Sequence, residues 1–252
     1  MFCFPTSRRA AQFFGKGRPR ERGPGAILPM LAERRQLMTA PRVLIFANGL
    51  LPDLGKARGL LQGNETIVCA DGGTHHALAL GLRPAIVIGD LDSLSDTDRI
   101  KLLDANVPIK QYPHDKDETD LELALEYALA MKPGAVVIAG ALGSRLDHTL
   151  GNLSLLADPR LHDVDCRLDD GVEEAYFCRA FSEIRGVSGD LVSLIPWGVP
   201  VTGVRTEGLR WPLSGGVLHA EKTLGISNEM LGEYATVHLE TGLLLIVHRR
   251  RQ

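Results

Sequence analysis

Four segments of this sequence combine aspartates with glycine or with a cationic side chain. They are Asp71-Gly72-Gly73, Gly89-Asp90-Leu91-Asp92-Ser93, Asp115-Lys116-Asp117-Glu118-Thr119-Asp120 and Gly143-Ser144-Arg145-Leu146-Asp147-His148. Carboxylate oxygens are hard ligands that select Mg²⁺ or Ca²⁺ over zinc. Glycine allows the backbone to approach a phosphate closely, and arginine binds phosphate oxygens with a fork of two hydrogen bonds. Phosphate together with a divalent cation indicates phosphoryl-type transfer.

Any one of these segments alone is weak evidence, because aspartate at a strand end or a helix N-cap is ordinary turn chemistry. The case depends on whether the four segments meet. Aspartates gathered at one place repel each other unless a cation joins them. The elements that precede and follow each segment therefore decide the interpretation.

Those elements alternate from residue 43 onward. Short apolar runs predict buried strands at 43–47, 66–70, 85–88 and 135–139, with 109–112 extended. Helices are predicted at 53–62, 74–80, 96–105, 119–131 and 147–157. Strands that are apolar throughout and separated by helices are typical of a parallel sheet covered on both faces. Ligands bind outside the carboxyl ends of such strands, so we expect the four segments to converge on one edge.

The pattern changes after about residue 160. Short runs at 191–195, 201–204, 235–239 and 243–247 alternate with Gly, Pro and Ser, which predicts a small antiparallel sandwich or barrel. The expected fold is an α/β N-terminal domain, with a mainly parallel sheet flanked by helices, followed by a C-terminal all-β sandwich or barrel-like domain. The predicted boundaries are 41–160 and 161–252. Residues 1–40 are interpreted as a disordered or upstream-start extension.

Composition excludes several classes. Of the 252 residues, 44% are hydrophobic and 23% charged, which is typical of a globular chain and not of a disordered, collagenous or membrane-spanning one. The four cysteines have neither zinc nor disulfide spacing, which favours reduced thiols and a cytoplasmic location. Residues 43–252 carry 19 basic and 29 acidic side chains, which argues against nucleic acid as the main partner.

Together the segments resemble the thiamine pyrophosphokinase family. Its hallmarks are a DGG, a GDxDS, a DxTD leading a helix, a GxRxDH-like segment and a late SN pair. Here they stand as Asp71-Gly72-Gly73, Gly89-Asp90-Leu91-Asp92-Ser93, Asp117-Glu118-Thr119-Asp120, Gly143-Ser144-Arg145-Leu146-Asp147-His148 and Ser227-Asn228. The resemblance covers about residues 43–248, with the motifs in the family's order.

The resemblance implies an activity. The family transfers the pyrophosphoryl group of ATP to the hydroxyl of thiamine, giving thiamine diphosphate and AMP. It implies that residues 41–160 bind ATP and Mg²⁺, and that residues 161–252 bind thiamine and form the dimer. The expected assembly is a homodimer with shared active sites, without nucleic-acid or membrane partners.

The resemblance also implies roles for individual residues. The implied Mg²⁺ ligands are Asp90, Asp92 and Asp120, and the implied catalytic residues are Asp71, Asp92, Asp117, Asp120 and Arg145. The implied nucleotide-binding residues are Asp71, Gly72, Gly73, Asp90, Ser93, Thr119, Arg145, Asp147 and His148. The implied substrate-binding residues are Lys116, Asp117, Ser227 and Asn228. Outside this set, His75, His76 and His114 are interpreted as solvated or core-edge histidines and not as metal ligands. Trp197 and Trp211 are interpreted as core or dimer contacts, with stacking on an aromatic substrate as the alternative.

Two alternatives remain at this stage. A haloacid-dehalogenase-like, Mg²⁺-dependent phosphatase also places an Asp-x-Asp after a buried strand, but that motif requires Thr or Val where Leu94 stands. A non-catalytic nucleotide-sensing module would be expected to have lost carboxylates, whereas the aspartates of all four segments are present. Release of AMP, rather than ADP or phosphate, separates the three hypotheses.

Overall fold

The computed structural model describes residues 40–251. Five helices are α1 (Leu54–Arg58), α2 (Thr74–Ala79), α3 (Asp96–Asp104), α4 (Asp120–Ala130) and α5 (Leu146–Leu155). The strands are β1 (Arg42–Phe46), β2 (Thr66–Ala70), β3 (Ile86–Gly89), β4 (Ile109–Gln111), β5 (Ala135–Ala139), β6 (Asp165–Asp169), β7 (Glu173–Cys178), β8 (Phe181–Arg185), β9 (Leu191–Pro196), β10 (Val201–Glu207), β11 (Ser214–Leu218), β12 (Asn228–Glu229), β13 (Tyr234–His238) and β14 (Leu244–Arg249). Short 3-10 helices occupy Asp71–Gly73 and Pro159–Leu161.

A ten-stranded sheet, in the order β12-β9-β14-β7-β6-β5-β1-β2-β3-β4, runs through the described part of the chain. Strands β1 to β6 pair in parallel wherever they are neighbours. Val43 and Ile45 of β1 pack with residues of α4 and α5, whereas Leu44 and Phe46 pack with residues of α2 and α3. Both faces of these strands are buried, which explains why they are apolar throughout.

The predicted helices are present, but α1 ends at Arg58 and not at residue 62. Asp53 caps its start by accepting the Lys56 N–H at 3.0 Å. Gly59 then ends the helix by donating its N–H to the Lys56 carbonyl at 2.9 Å. Glycine is a poor helix former, so the short helix stops there although the apolar pattern continues.

The second half forms the predicted sandwich. A four-stranded sheet, in the order β11-β10-β13-β8, packs against the antiparallel strands β7, β14 and β9 of the ten-stranded sheet. One layer of the sandwich is therefore continuous with the α/β sheet. Backbone hydrogen bonds connect the two sides of the boundary predicted at residue 160, because β6 pairs in parallel with β5 and antiparallel with β7. The division at residue 160 stays a prediction.

The structure also bears on the remaining sequence predictions. Strands β6, β7, β8, β11 and β12 were not predicted. Within residues 40–251, no helix is long and apolar enough to cross a membrane. Cys69, Cys166 and Cys178 are free thiols. The expectations for the N-terminal extension fall on residues 1–39, outside the described part of the chain.

Candidate active site

Loops at the carboxyl ends of β1, β2, β3 and β5 line one cavity of about 450 Å³. Among the residues that the sequence nominated, the lining ones are Asp71, Asp90, Asp92, Ser93, Thr119, Asp120, Arg145 and His148. The nominated residues that are not part of the lining are Gly72, Gly73, Lys116, Asp117, Asp147, Ser227 and Asn228. The cavity thus brings together side chains from all four aspartate-containing segments.

Three of these loops contain a non-glycine residue in the left-handed backbone region. The φ angles are 43° at Asp71, 70° at Leu91 and 69° at Ser144. Such a conformation costs on the order of 1 kcal/mol for a residue with a Cβ. This left-handed conformation persists only where surrounding contacts hold it. The conformation of these loops is therefore set by tertiary contacts and not by the backbone preference of the residues themselves.

Glycine at two positions makes the close approach of the segments possible. A Cβ on Gly89 would lie 2.8 Å from the Asp71 Cβ and 3.1 Å from the Asp120 Cγ. A Cβ on Gly73 would lie 2.1 Å from the Phe46 carbonyl oxygen. These glycines are therefore required for packing the carboxylates together and the Asp71 loop against β1.

The carboxylates form two groups that share Asp90. Asp71, Asp90 and Asp120 make up one group, and Asp90, Asp92 and His114 the other, with ligand atoms inside each group within 4.8 Å of one another. The implied ligands Asp92 and Asp120 thus fall in different groups. Asp71 is only 4% exposed, and its Oδ1 is buried without a hydrogen-bond partner among the described residues. An orphaned carboxylate oxygen beside two other carboxylates fits a divalent cation.

Lys116 supplies positive charge to the first group. Its Nζ lies 3.0 Å from Asp120 Oδ1 and 4.0 Å from Asp90 Oδ2. Burial lowers the pKa of Lys116, but the hydrogen bond to Asp120 and the nearby carboxylates outweigh it and raise the pKa overall. Burial raises the pKa of Asp120 despite this ammonium group. The carboxylate of Asp120 is therefore poorly solvated and favours a stronger cation nearby.

His114 was interpreted from the sequence as a solvated histidine, and its side chain is indeed exposed. Its Nδ1 nevertheless lies 2.6 Å from Asp90 Oδ2 and 3.5 Å from Asp92 Oδ2. The hydrogen bond to Asp90 is the main cause of a raised pKa at His114. The Asp92 backbone N–H, followed by His114, lowers the pKa of Asp90.

Arg145 and Asp147 form an exposed ion pair at the start of α5. Arg145 Nε donates to Asp147 Oδ1 at 3.1 Å, and its second guanidinium nitrogen contacts Oδ2. This contact lowers the pKa of Asp147 to about 2. Arg145 lines the cavity, whereas Asp147 does not. The aspartate therefore orients the arginine side chain from outside the lining.

Sequence reasoning missed three residues that contribute to the cavity. Asn48 and Asn152 line it, and Asn152 Nδ2 donates to the Ala141 carbonyl at 2.9 Å. His76 is buried, with Nε2 2.9 Å from the carbonyl oxygen of Gly49. The position of Asn48 just after the predicted strand at 43–47 was an available signal.

The Ser227-Asn228 pair lies far from this cavity within one chain. Seven strand-to-strand steps of about 4.8 Å, roughly 34 Å across the sheet, separate β12 from β2. The buried Asn228 side chain accepts the Trp211 N–H at 3.0 Å and donates to the Trp211 carbonyl at 2.7 Å. Trp211 itself is 57% exposed. The asparagine amide therefore holds the backbone of the residue that carries this exposed indole, and a contact of Asn228 with the substrate stays a prediction.

Comparisons with known proteins agree with this architecture. The family model for the thiamin pyrophosphokinase catalytic domain matches residues 57–168, and the model for its vitamin B1 binding domain matches 182–244. A thiamine pyrophosphokinase of Bacillus subtilis is 29% identical over 200 residues, covering 79% of this chain and 92% of that protein. Thiamine pyrophosphokinase 1 of Arabidopsis thaliana is 30% identical over 203 residues, covering 70% and 75%.

Comparisons with solved structures indicate the same family. The crystal structure of thiamine pyrophosphokinase from Bacillus subtilis aligns with a TM-score of 0.77 at 27% identity, covering 84% of this chain and all of that one. The enzyme from Geobacillus thermodenitrificans aligns with a TM-score of 0.74 at 27% identity, covering 84% and 98%. The chain belongs to the thiamine pyrophosphokinase family.

Proposed function

We propose that this chain is a thiamine diphosphokinase, which transfers the pyrophosphoryl group of ATP to thiamine. The thiamine hydroxyl oxygen forms a bond to the β-phosphorus of ATP, the bond from that phosphorus to the α–β bridging oxygen breaks, and AMP leaves. The hydroxyl proton passes to water. The observation that carries the proposal is the buried, orphaned Asp71 oxygen beside Asp90 and Asp120 in the cavity of a chain that matches both family domains.

Mg²⁺ fits the carboxylates, and we assign Asp71, Asp90, Asp92 and Asp120 as the residues that would hold it. When bound, the ion neutralises phosphate charge and stabilises the charge that develops during transfer. These four aspartates offer only oxygen donors, which suit this hard cation. The exposed carboxylate of Asp92 accepts the Ser93 hydroxyl at 3.0 Å, so it is oriented before any ligand binds.

Cationic and polar side chains around the cavity serve the phosphates. Arg145 can exchange its fork of hydrogen bonds with Asp147 for one with phosphate oxygens, because both groups are exposed. The Lys116 ammonium lies beside the carboxylates and is assigned to the oxygens of the transferred group. Ser93, Thr119 and His148 line the same cavity and complete the proposed nucleotide contacts. Asp117 is exposed, and its role at the substrate stays a prediction.

Thiamine is assigned to the Trp211 region of the second half. Thiamine carries two aromatic rings, one of them cationic, and an indole face binds such a group by stacking and by cation–π attraction. The Asn228 amide holds the backbone of Trp211 at both its N–H and its carbonyl. Ser227 and Asn228 therefore contribute by positioning this surface.

The distance between the two halves supports a homodimer with shared sites. Thiamine cannot span roughly 34 Å, so its hydroxyl reaches the phosphates only if the Trp211 region of one chain meets the cavity of another. Both regions expose apolar side chains. Leu146 and Leu150 flank the cavity on α5, and Leu224, Ile226 and Leu231 lie close in sequence to the Ser227-Asn228 pair. Contact between such patches would bury apolar area on both chains.

One assay tests the activity against its alternatives. The purified chain is incubated with ATP, Mg²⁺ and thiamine, and nucleotides and thiamine esters are quantified. We expect thiamine diphosphate and AMP in equal amounts. ADP or free phosphate as the nucleotide-derived product would support the phosphatase alternative. Binding of Mg·ATP without turnover would support a sensing module.

A further inference from the structure

His114 is a nitrogen donor placed against two of the carboxylates assigned to the metal. Its Nδ1 lies 2.6 Å from Asp90 Oδ2 and 3.5 Å from Asp92 Oδ2. Among residues 40–251, this trio is one of two groups whose ligand atoms lie within 4.8 Å of one another. It is the group of the two that contains a nitrogen ligand.

These separations suit one six-coordinate cation. Neighbouring ligands of an octahedral ion bound at about 2.1 Å lie about 3.0 Å apart. The two distances from His114 Nδ1 lie on either side of that value. Without a cation the 2.6 Å contact is a hydrogen bond, and a bound cation would take the place of the proton shared between the ring nitrogen and Asp90.

A second observation supports a cation at this centre. The Asp71 carboxylate, which belongs to the group sharing Asp90, is 96% buried and has an orphaned Oδ1. The Lys116 ammonium lies closer to Asp120, at 3.0 Å, than to Asp90, at 4.0 Å. The Lys116 ammonium group therefore lies on the side of Asp90 that faces Asp120. The Asp92 side is open to solvent, because the side chains of Asp92 and His114 are 58% and 81% exposed.

We propose that His114 is a nitrogen ligand of a divalent cation held by Asp90 and Asp92. This inference rests on the proposed use of these carboxylates for metal binding. Imidazole suits transition ions, whereas Mg²⁺ takes oxygen ligands almost exclusively. A site that includes His114 is therefore expected to bind Mn²⁺ or Co²⁺ more tightly than the carboxylates alone would, with a smaller effect on Mg²⁺.

The test uses Mn²⁺ alone with the untagged full chain in a buffer without a ligating amine. Pulsed EPR of bound Mn²⁺ should show ¹⁴N modulation from a coordinated imidazole. The modulation should disappear in His114→Ala and persist in His148→Ala, the matched control at another histidine of the cavity. His114→Ala should also weaken Mn²⁺ binding on the order of 10-fold and Mg²⁺ binding less than about 2-fold.

A second measurement needs no variant. Labelling the wild-type chain with ¹⁵N-histidine should replace the ¹⁴N modulation with that of ¹⁵N, which keeps the test decisive even if His114→Ala fails to fold. Bound Mn²⁺ without nitrogen modulation, released by Asp90→Asn, would overturn the role of His114 and leave the carboxylate site intact. Modulation that survives in His114→Ala would also overturn it. Absence of Mn²⁺ binding at millimolar concentration would contradict both this inference and the proposed metal site.

Discussion

Asp92 and Asp71 face the same centre but differ in what they contribute to the fold. Asp71 is buried within the loop after β2, whereas the Asp92 side chain is 58% exposed and contacts only exposed groups, the Ser93 hydroxyl and the His114 ring. Substitution of Asp92 therefore removes a charge from the centre with little loss of packing. It is the cleaner probe of cation binding.

We expect Asp92→Asn to fold normally and to lose at least about 100-fold in turnover, since a lost metal ligand costs on the order of 3 kcal/mol of transition-state stabilisation. Asp96→Asn is the matched control, because Asp96 is equally an exposed aspartate, four residues on, at the start of α3. Steady-state turnover and the melting temperature check both. Activity of Asp92→Asn within tenfold of wild type would remove Asp92 from the site.

Asn228 offers a second prediction at the scale of single residues. Because its amide bonds both the N–H and the carbonyl of Trp211, Asn228→Ala should act through the indole. Asn228→Ala and Trp211→Ala should each raise KM for thiamine and leave the Kd of Mg·ATP nearly unchanged. The double variant should be no worse than Trp211→Ala alone. Additive effects would show that Asn228 contacts thiamine independently.

Residue types identified the aspartates, but not the partners of the other polar side chains. The acidic segments stand out because few folds gather so many carboxylates without a cation. His114 and Asn228 could not be assigned in the same way, because their roles depend on which atoms lie within 3 Å of them in space. A solvated histidine and a histidine bridging two carboxylates are identical in sequence.

At the scale of elements, the apolar strands were predictable and the charged ones were not. Strands β1, β2, β3 and β5 are buried on both faces and so read as continuous apolar runs. Strands β6 and β7 carry Arg167, Asp169 and Glu174. Arg167 pairs with Glu174 between the two strands, and Asp169 pairs with Arg250, which follows β14. Their polarity hides the strand pattern, because the pairing that neutralises these charges appears only once the strands lie side by side.

The most buried member of this ionic network is His248 of β14. Nδ1 lies 2.9 Å from Glu174 Oε1, and Nε2 lies 3.0 Å from Asp190 Oδ2. Burial lowers the pKa of His248, but the two carboxylates outweigh it and raise the pKa overall. Burial likewise raises the pKa of Glu174, but the hydrogen bond from His248 and the charges of Arg167 and Arg250 lower it to about 2.

This network predicts how stability depends on pH. A raised pKa at His248 gives stability that is fully present below about 6.5 and is lost as pH rises through the folded-state pKa. The lowered pKa of Glu174 gives stability that is present above about 4.3 and is lost as pH falls towards 2. The network should therefore stabilise the fold most between these limits.

Melting temperatures measured from pH 5 to pH 9 check this expectation. The wild-type value should fall as pH rises above 6.5. His248→Gln should melt lower throughout, because it leaves buried carboxylates without their cation at a cost of about 3–5 kcal/mol. The decrease above pH 6.5 should be smaller in this variant. An equal decrease in both chains would assign the pH dependence to other groups.

At the scale of the whole molecule, strand order sets the distance between the two halves of the proposed site. The cavity forms where β1, β2, β3 and β5 end, whereas Trp211 is bound to β12 at the far edge of the same sheet. Sequence could predict both halves, since each has its own motif. It could not predict their separation, because the sequence does not reveal that β12, β9 and β14 extend the same ten-stranded sheet.

Subunit mixing tests whether two chains build each site. The two parent variants are Asp92→Asn, which damages the cavity, and Asn228→Ala, which damages the Trp211 region. In a mixed dimer, one site receives both intact halves and the other receives both defects. Measured at a thiamine concentration well below the raised KM of Asn228→Ala, random exchange of equal amounts should thus restore about a quarter of the wild-type specific activity.

The control for this complementation mixes Asp92→Asn with Asp120→Asn. Both changes lie in the cavity half, so every site of the mixed dimer keeps a defective cavity and activity should stay at the parental level. Exchange itself is measured independently by mass spectrometry of differently labelled subunits. If Asp92→Asn and Asn228→Ala exchange subunits freely without gaining activity, each site is built by one chain. Thiamine would then bind near the cavity, and the exposed indole of Trp211 would need another partner.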